Sequence, residues 1–137
     1  KAHIHELELD EQVHILGYVS QEDLITLYRN AFALVYVSLF GPENLPPLEA
    51  FALGCPVIAM NVPGMKEQLG ERALFAEPGD IESIAMQIKT LYTDPELYKL
   101  LKERGIERSD KWTSQDFVLG VFKILDEFEY YRRTWRN

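Results

Sequence analysis

An α/β fold, a parallel sheet with helices on both faces, is predicted by three features of this sequence. Short runs of strand-forming residues alternate with segments of helical periodicity, the connections between them are brief, and Gly, Pro, Asn or Asp marks nearly every junction. Parallel strands need crossover connections, and right-handed crossovers through helices cover the sheet.

Val13-His14-Ile15-Leu16 is the first expected strand, closed by Gly17. Ser20 then stands as a helix N-cap with Asp23 three residues on, and Leu24, Leu27, Tyr28 and Ala31 follow at helical spacing. Ala33-Leu34-Val35-Tyr36-Val37 is too short for a buried helix and reads as the second strand. From Ser38 to Leu45 the sequence SLFGPENL lacks periodicity; Pro46-Pro47 opens an apolar helix through Leu53, which Gly54 ends. Pro56 to Met60 is the third strand, Asn61-Val62-Pro63-Gly64 its turn, Met65 to Leu69 a short helix and Ala73-Leu74-Phe75 the fourth strand. Beyond Pro78-Gly79-Asp80 only helices follow. Asp80 caps Ile81 to Tyr92, Asp94-Pro95 starts a helix to about Arg108, and Ser114 caps one reaching Tyr131. Residues 80–137 are therefore expected to be a helical cover within a single domain, 1–137, that contains no repeat and no linker.

Composition narrows the function. The 137 residues are 47% hydrophobic and 26% charged, the make-up of an ordinary globular domain, and a chain this long can bury roughly two-thirds of its unfolded surface. The apolar runs Ala31–Val37 and Phe51–Met60 fall short of the ~20 residues a membrane span needs. A net charge of −8 leaves no basic face with which to neutralise nucleic acid phosphates. One cysteine forms no internal disulfide, and no basic-then-apolar leader opens the sequence, so a reducing, cytoplasmic setting is expected.

Ligands of an open parallel sheet sit beyond the carboxyl ends of its strands. Three loops qualify: Gly17–Ser20, Ser38–Leu45 and Asn61–Gly64. The middle one is stripped of bulk by Gly41 and Pro42 and leads into a helix start, whose free amides and positive dipole end favour phosphate or another anion. Glu49 lies one turn into that helix. A carboxylate so placed repels phosphate but accepts hydrogen bonds from paired hydroxyls, such as those of a nucleotide ribose. The residues thus read as an end-on site for a nucleotide diphosphate.

The stretch GYVSQEDLITLYRNAFALVYVSLFGPENLPPLEAFALGCPV, from Gly17 on, resembles the donor-binding core of retaining GT-B glycosyltransferases of glycosyltransferase family 4, the group 1 type. The likeness continues through NVPGMKEQLGERALFAEPGD and the terminal helices, and is sharpest in LPPLEAFALGCPV. It implies a Rossmann-like carboxyl-terminal half that binds a nucleotide-diphosphate sugar. In that family two glutamates flank the donor, the second on the ribose hydroxyls, the first near the sugar, and loop amides between them meet the pyrophosphate. Glu49 matches the second. The place of the first holds Gly41, and the resemblance passes the sugar-facing, catalytic role to the nearest carboxylate, Glu43. Gly41, Pro42, Asn44 and Leu45 are implied as donor contacts, and Tyr18 and Val19 as the backbone beside the nucleobase.

Two features of the family's domain are not in this sequence: the two strands that precede the first one here, and the Gly-Arg and lysine that neutralise the pyrophosphate. Lys1 to Glu6 resembles the tail of the helix after the second of those strands. The chain is accordingly expected to be a fragment, truncated on its amino-terminal side and inactive alone, whose glycan or lipid-linked acceptor is bound by an absent amino-terminal domain. In the strand order 3-2-1-4-5-6 the missing pair is central, so bare edges are expected, filled by upstream residues or by a second copy exchanging strands in a homodimer.

The remaining polar features carry less chemistry. Cys55 reads as a small core residue, with no cation or histidine beside it to lower its pKa. His3, His5 and His14 have no thiol or carboxylate pattern to complete a metal site, there is no Asp-x-Asp pair, and no cofactor is expected beyond the donor itself. Tyr130, Tyr131, Arg132, Arg133, Trp135 and Arg136 form a basic aromatic end suited to packing on another domain, with peripheral membrane contact as the second reading. The rival function, a receiver-like signalling module, requires an aspartate at the end of a central strand; the strands here end in Leu16-Gly17, Val37-Ser38, Met60-Asn61 and Phe75-Ala76.

Overall fold

The computed structural model describes residues 2–41, 44–111 and 113–134, with side chains through 128. After a short helix α1 (Ala2–Glu6) the elements run α2 (Gln21–Asn30), β1 (Leu34–Tyr36), α3 (Leu45–Ala52), β2 (Val57–Met60), α4 (Met65–Leu69), β3 (Ala73–Ala76), α5 (Ile81–Thr93), α6 (Pro95–Asp110) and α7 (Ser114–Thr134). The strands form one parallel sheet in the order β1-β2-β3. Leu34 lies opposite Val57, and Val57 opposite Ala73.

Alternation along β2 divides the core in two. Val57 and Ala59 face Tyr28, Ala50, Phe51, Met65 and Leu69 of α2, α3 and α4, whereas Ile58 faces Leu91 and Leu101 of α5 and α6. All four β2 residues are buried, as expected of a central parallel strand covered on both faces. Helix α6 also turns its second half against α3: a Cβ built on Gly105 would come within 2.8 Å of Phe51 Cδ1, so only glycine permits this approach.

Helix starts follow the side chains that satisfy their first amides. Ser20 Oγ accepts from Asp23 N at 3.2 Å, Asp80 from Ser83 N at 2.9 Å, and Asp94 from Leu97 N at 2.9 Å. The start of α7 differs by one residue from the sequence expectation. Thr113, not Ser114, caps it: Thr113 Oγ1 accepts from Asp116 N at 3.3 Å while Asp116 accepts from Thr113 N at 2.7 Å, a reciprocal capping box. The Thr113 bonds also hold the Asp116 carboxyl below its usual range.

Two expectations need correction. Val13–Leu16 is not a strand; it is irregular, with Val13 42%, Ile15 59% and Leu16 57% exposed. A β segment is held by a neighbour that pairs its N–H and C=O groups, and the sheet described here starts at β1, to which Val13–Leu16 does not pair. Among the described residues, the core side chains of the helical cover from residue 80 onward come from α5 and α6. Along α7 Phe117, Leu119, Phe122 and Ile124 are all more than half exposed. Tyr130, Tyr131, Arg132 and Arg133 lie beyond the described side chains, and Trp135 and Arg136 outside the described residues.

Candidate functional site

The carboxyl ends of β1, β2 and β3 lie along one edge of the sheet because the strands are parallel. From β1 the chain runs through the Ser38–Leu45 loop into α3, and its two ends are joined at Asn44. Tyr36, the last residue of β1, donates from Oη to Asn44 Oδ1 at 3.3 Å, and Asn44 Nδ2 donates to the Gly41 carbonyl at 3.0 Å. Asn44 has φ 46° and ψ 45°, the left-handed conformation that asparagine tolerates better than most residues. The approach is close enough that a Cβ on Gly41 would stand 2.6 Å from Asn44 Oδ1. Pro42 and Glu43 lie outside the described residues.

Because its side chain is turned back into the loop, Asn44 makes no side-chain cap on α3. Helix α3 begins at Leu45, one residue before the expected start, which puts Pro46 and Pro47 in its first turn, where they contribute no N–H. The amides available there are those of Asn44 and Leu45.

Glu49 sits exposed on α3. It faces Tyr28 of α2, whose hydroxyl is held above its ordinary pKa by burial first and then by the nearby Glu49 carboxylate. Tyr36 lies near enough to Tyr28 to add to that effect. Structure thus brings Gly41, Asn44, Leu45 and Glu49 onto one loop and helix, and adds Tyr36 and Tyr28 beneath them. Neither tyrosine was among the sequence candidates. Tyr36 had a signal: it ends a strand at the loop in question. Tyr28, one of a run of apolar positions in α2, had none. Tyr18 is 99% exposed ahead of α2 and is not drawn into this group, while Val19 is half-buried.

A second network closes the neighbouring strand ends. Asn61 N donates to Ala76 O at 2.8 Å, Asn61 Nδ2 to Glu77 Oε1 at 2.7 Å, and Glu77 N to the buried Ser83 hydroxyl at 3.0 Å. It ties the Asn61–Gly64 loop to the start of α5. Cys55 is buried at the head of β2 and its thiol pKa is raised by that burial, which suits a core residue. His3 and His5 are exposed, each beside one carboxylate, Glu6 at 3.1 Å and Asp10 at 3.0 Å. A cavity of about 290 Å³ lined by Leu48, Glu49, Ala52, Arg108 and Ser109 lies between α3 and α6. A larger, apolar one of about 600 Å³ opens between α2 and β1, lined by Leu24, Leu27, Tyr28, Ala31 and Leu34 among others. Among the described residues no helix is long and apolar enough to cross a membrane.

Residues 1–108 match the family model described as glycosyl transferases group 1. The chain is 34% identical over 116 residues to O-antigen chain mannosyltransferase B of Escherichia coli, covering 82% of this chain and 30% of that protein. Sucrose-phosphate synthase from Thermosynechococcus elongatus superposes with a TM-score of 0.76 at 27% identity, over 98% of this chain and 33% of that one. The carboxyl-terminal domain of a glycosyl transferase group 1 family protein (LpcC) from Francisella tularensis does so with a TM-score of 0.68 at 25% identity, over 77% of this chain and 56% of that one. With most of its length inside the family model and a parallel sheet sandwiched as in these structures, the chain belongs to the glycosyl transferases group 1 family and has the fold of a GT-B carboxyl-terminal domain.

Proposed function

We propose that this chain is the nucleotide-sugar-binding part of a retaining glycosyltransferase that moves a hexosyl group from a nucleotide diphosphate to a glycan or lipid-linked acceptor. The observation that carries the reading is the loop and helix start at the carboxyl end of β1, with Glu49 one turn in, in a member of this family. Glu49 takes the ribose hydroxyls, the backbone of Gly41, Pro42, Asn44 and Leu45 meets the pyrophosphate and sugar, and Glu43 faces the sugar. Tyr18 and Val19 border the nucleobase. The name of the mannosyltransferase relative favours a mannosyl donor and a polysaccharide acceptor. That relative is more than three times as long as its matched region, and the acceptor is assigned to parts of the protein outside this chain, as are the cations that balance the pyrophosphate.

Chemically, the site's work is electrostatic. As the sugar leaves, negative charge grows on the departing diphosphate, and amides already fixed at the start of α3 stabilise it without reorganising. The sequence has no Asp-x-Asp pair to hold a metal. Calorimetric titration of the full-length protein is expected to show saturable binding of a nucleoside diphosphate and no binding of a phosphoryl mimic such as beryllofluoride; the reverse would make the site a phosphoacceptor. A second expectation concerns Glu43. If it faces the sugar, Glu43→Gln lowers kcat by more than it raises the donor's KM, since the interaction is made chiefly in the transition state. Equal kinetics in the two enzymes would remove Glu43 from the chemistry.

A further inference from the structure

We propose that Asn61 and Glu77 form a subsite for the hydroxyls of the acceptor sugar, a contact made by this chain in addition to those assigned to parts outside it. The inference rests on the nucleotide-sugar reading of the neighbouring loop.

Three observations carry it. The first is position. Asn61 and Glu77 are the residues that follow β2 and β3, so both stand at the carboxyl edge of the sheet, where the ligands of such sheets sit. Asn61 lies two residues beyond Ala59, and Ser38, which opens the loop after β1, lies two beyond Tyr36, the ladder partner of Ala59. The pair and the loop therefore leave the sheet at one level, with β2 and β3 about 5 and 10 Å from β1. The β1 loop is assigned to the pyrophosphate and the transferred sugar. The next sugar residue along the same edge is the acceptor.

The second is rigidity. Asn61 N donates to Ala76 O at 2.8 Å, and Glu77 is held through both of its backbone groups: its N–H donates to the buried Ser83 hydroxyl at 3.0 Å and its carbonyl accepts from Asp80 N at 3.1 Å. Ser83 N in turn donates to Asp80 Oδ1 at 2.9 Å. A site fixed in advance loses less entropy when it binds.

The third is chemistry. The 2.7 Å bond from Asn61 Nδ2 to Glu77 Oε1 occupies one amide hydrogen and one carboxylate oxygen. It leaves the second oxygen of the exposed Glu77 carboxylate and the amide oxygen of Asn61 as acceptors. Two adjacent acceptors, one of them charged, suit neighbouring sugar hydroxyls and repel a phosphate. The pair is thereby matched to a sugar and not to the diphosphate.

The test uses the full-length protein with Glu77→Gln, Glu77→Ala and Asn61→Ala. Glutamine keeps an oxygen for Asn61 Nδ2 but replaces the outer carboxylate oxygen with an NH₂ group, so the tie between the two loops survives while the outward acceptor is lost. Affinities for GDP, UDP, GDP-mannose and UDP-glucose are measured by calorimetry, and melting temperature by calorimetric scan. Binding of methyl α-mannoside and methyl α-glucoside to the diphosphate-loaded protein is measured by saturation-transfer NMR. The parent is expected to bind at least one of the two glycosides. Glu77→Gln is expected to weaken that binding about 10-fold or more, with diphosphate affinity within about twofold of the parent and the melting temperature unchanged. Parental glycoside affinity in Glu77→Gln overturns the subsite and assigns Glu77 to tying the loops, even where Glu77→Ala and Asn61→Ala lose affinity and melt lower. A loss of nucleotide-sugar affinity in Glu77→Gln with glycoside affinity intact moves the pair to the transferred sugar and overturns the acceptor assignment. Absence of glycoside binding by the diphosphate-loaded parent overturns the subsite and leaves the nucleotide-sugar reading standing. Failure of the parent to bind any nucleoside diphosphate overturns both.

Discussion

Glu49→Ala in the full-length enzyme is expected to weaken nucleoside diphosphate binding about 10- to 100-fold, or roughly 1.5–3 kcal/mol, the worth of hydrogen bonds to a charged acceptor. Two hydroxyls of a ribose can share one carboxylate, and alanine leaves both without it. The fold should survive the change. Glu49 is exposed on the surface of α3, so water replaces it beside the Tyr28 hydroxyl and no buried donor is stranded. Isothermal titration and a thermal scan of the same preparation decide the matter: unchanged affinity with intact stability removes the ribose from Glu49. Tyr28→Phe gives a useful companion measurement. It removes the hydroxyl that lies beside the carboxylate, and a smaller loss than that of Glu49→Ala is expected if Tyr28 only orients the group.

Much of this architecture was legible because its signals are local. Ser20, Asp80 and Asp94 each bind the amide three residues on, and the expected α4 and the start of α5 coincide with the observed ones. The alternation along β2 was legible for the same reason, since Val57, Ile58, Ala59 and Met60 are all apolar and must be covered twice. Val13–Leu16 failed as a strand although its residues favour one, because pairing is a property of the neighbour and not of the run. Thr113 was missed as a cap because Ser114 beside it is equally suited in type, and only Asp116, three residues from Thr113, tells them apart. At the site, the loop and Glu49 were readable from residue types and from the family resemblance. Tyr28 was not: it lies 21 residues before Glu49 in sequence, in another helix, and nothing in the pattern of α2 says which apolar position carries a hydroxyl toward α3. The α3 start was misjudged by one residue, and that residue decides which amides stay free beside the prolines: Asn44 and Leu45 rather than Leu45 and Leu48.

The 137 residues produced alone are expected to self-associate. Strand β1 has a partner only on its β2 side, so its other edge presents unpaired backbone groups among the described residues. In a parallel sheet covered on both faces such an edge belongs in the interior, where water does not reach it. Beside it, between α2 and β1, lies the apolar cavity of about 600 Å³. Ile15 and Leu16 stand more than half exposed, and so do Phe117, Leu119, Phe122, Ile124 and Leu125 of α7. Apolar surface and a free strand edge on one small body favour pairing with whatever chain is nearest, which in a purified preparation is a second copy. Light scattering with mass spectrometry should therefore give a dimer or larger species built from intact 15.9 kDa chains. A monodisperse 15.9 kDa monomer at the same concentration would mean that the edge of β1 is tolerated as it stands, and that the family's two additional strands are not what this sheet lacks.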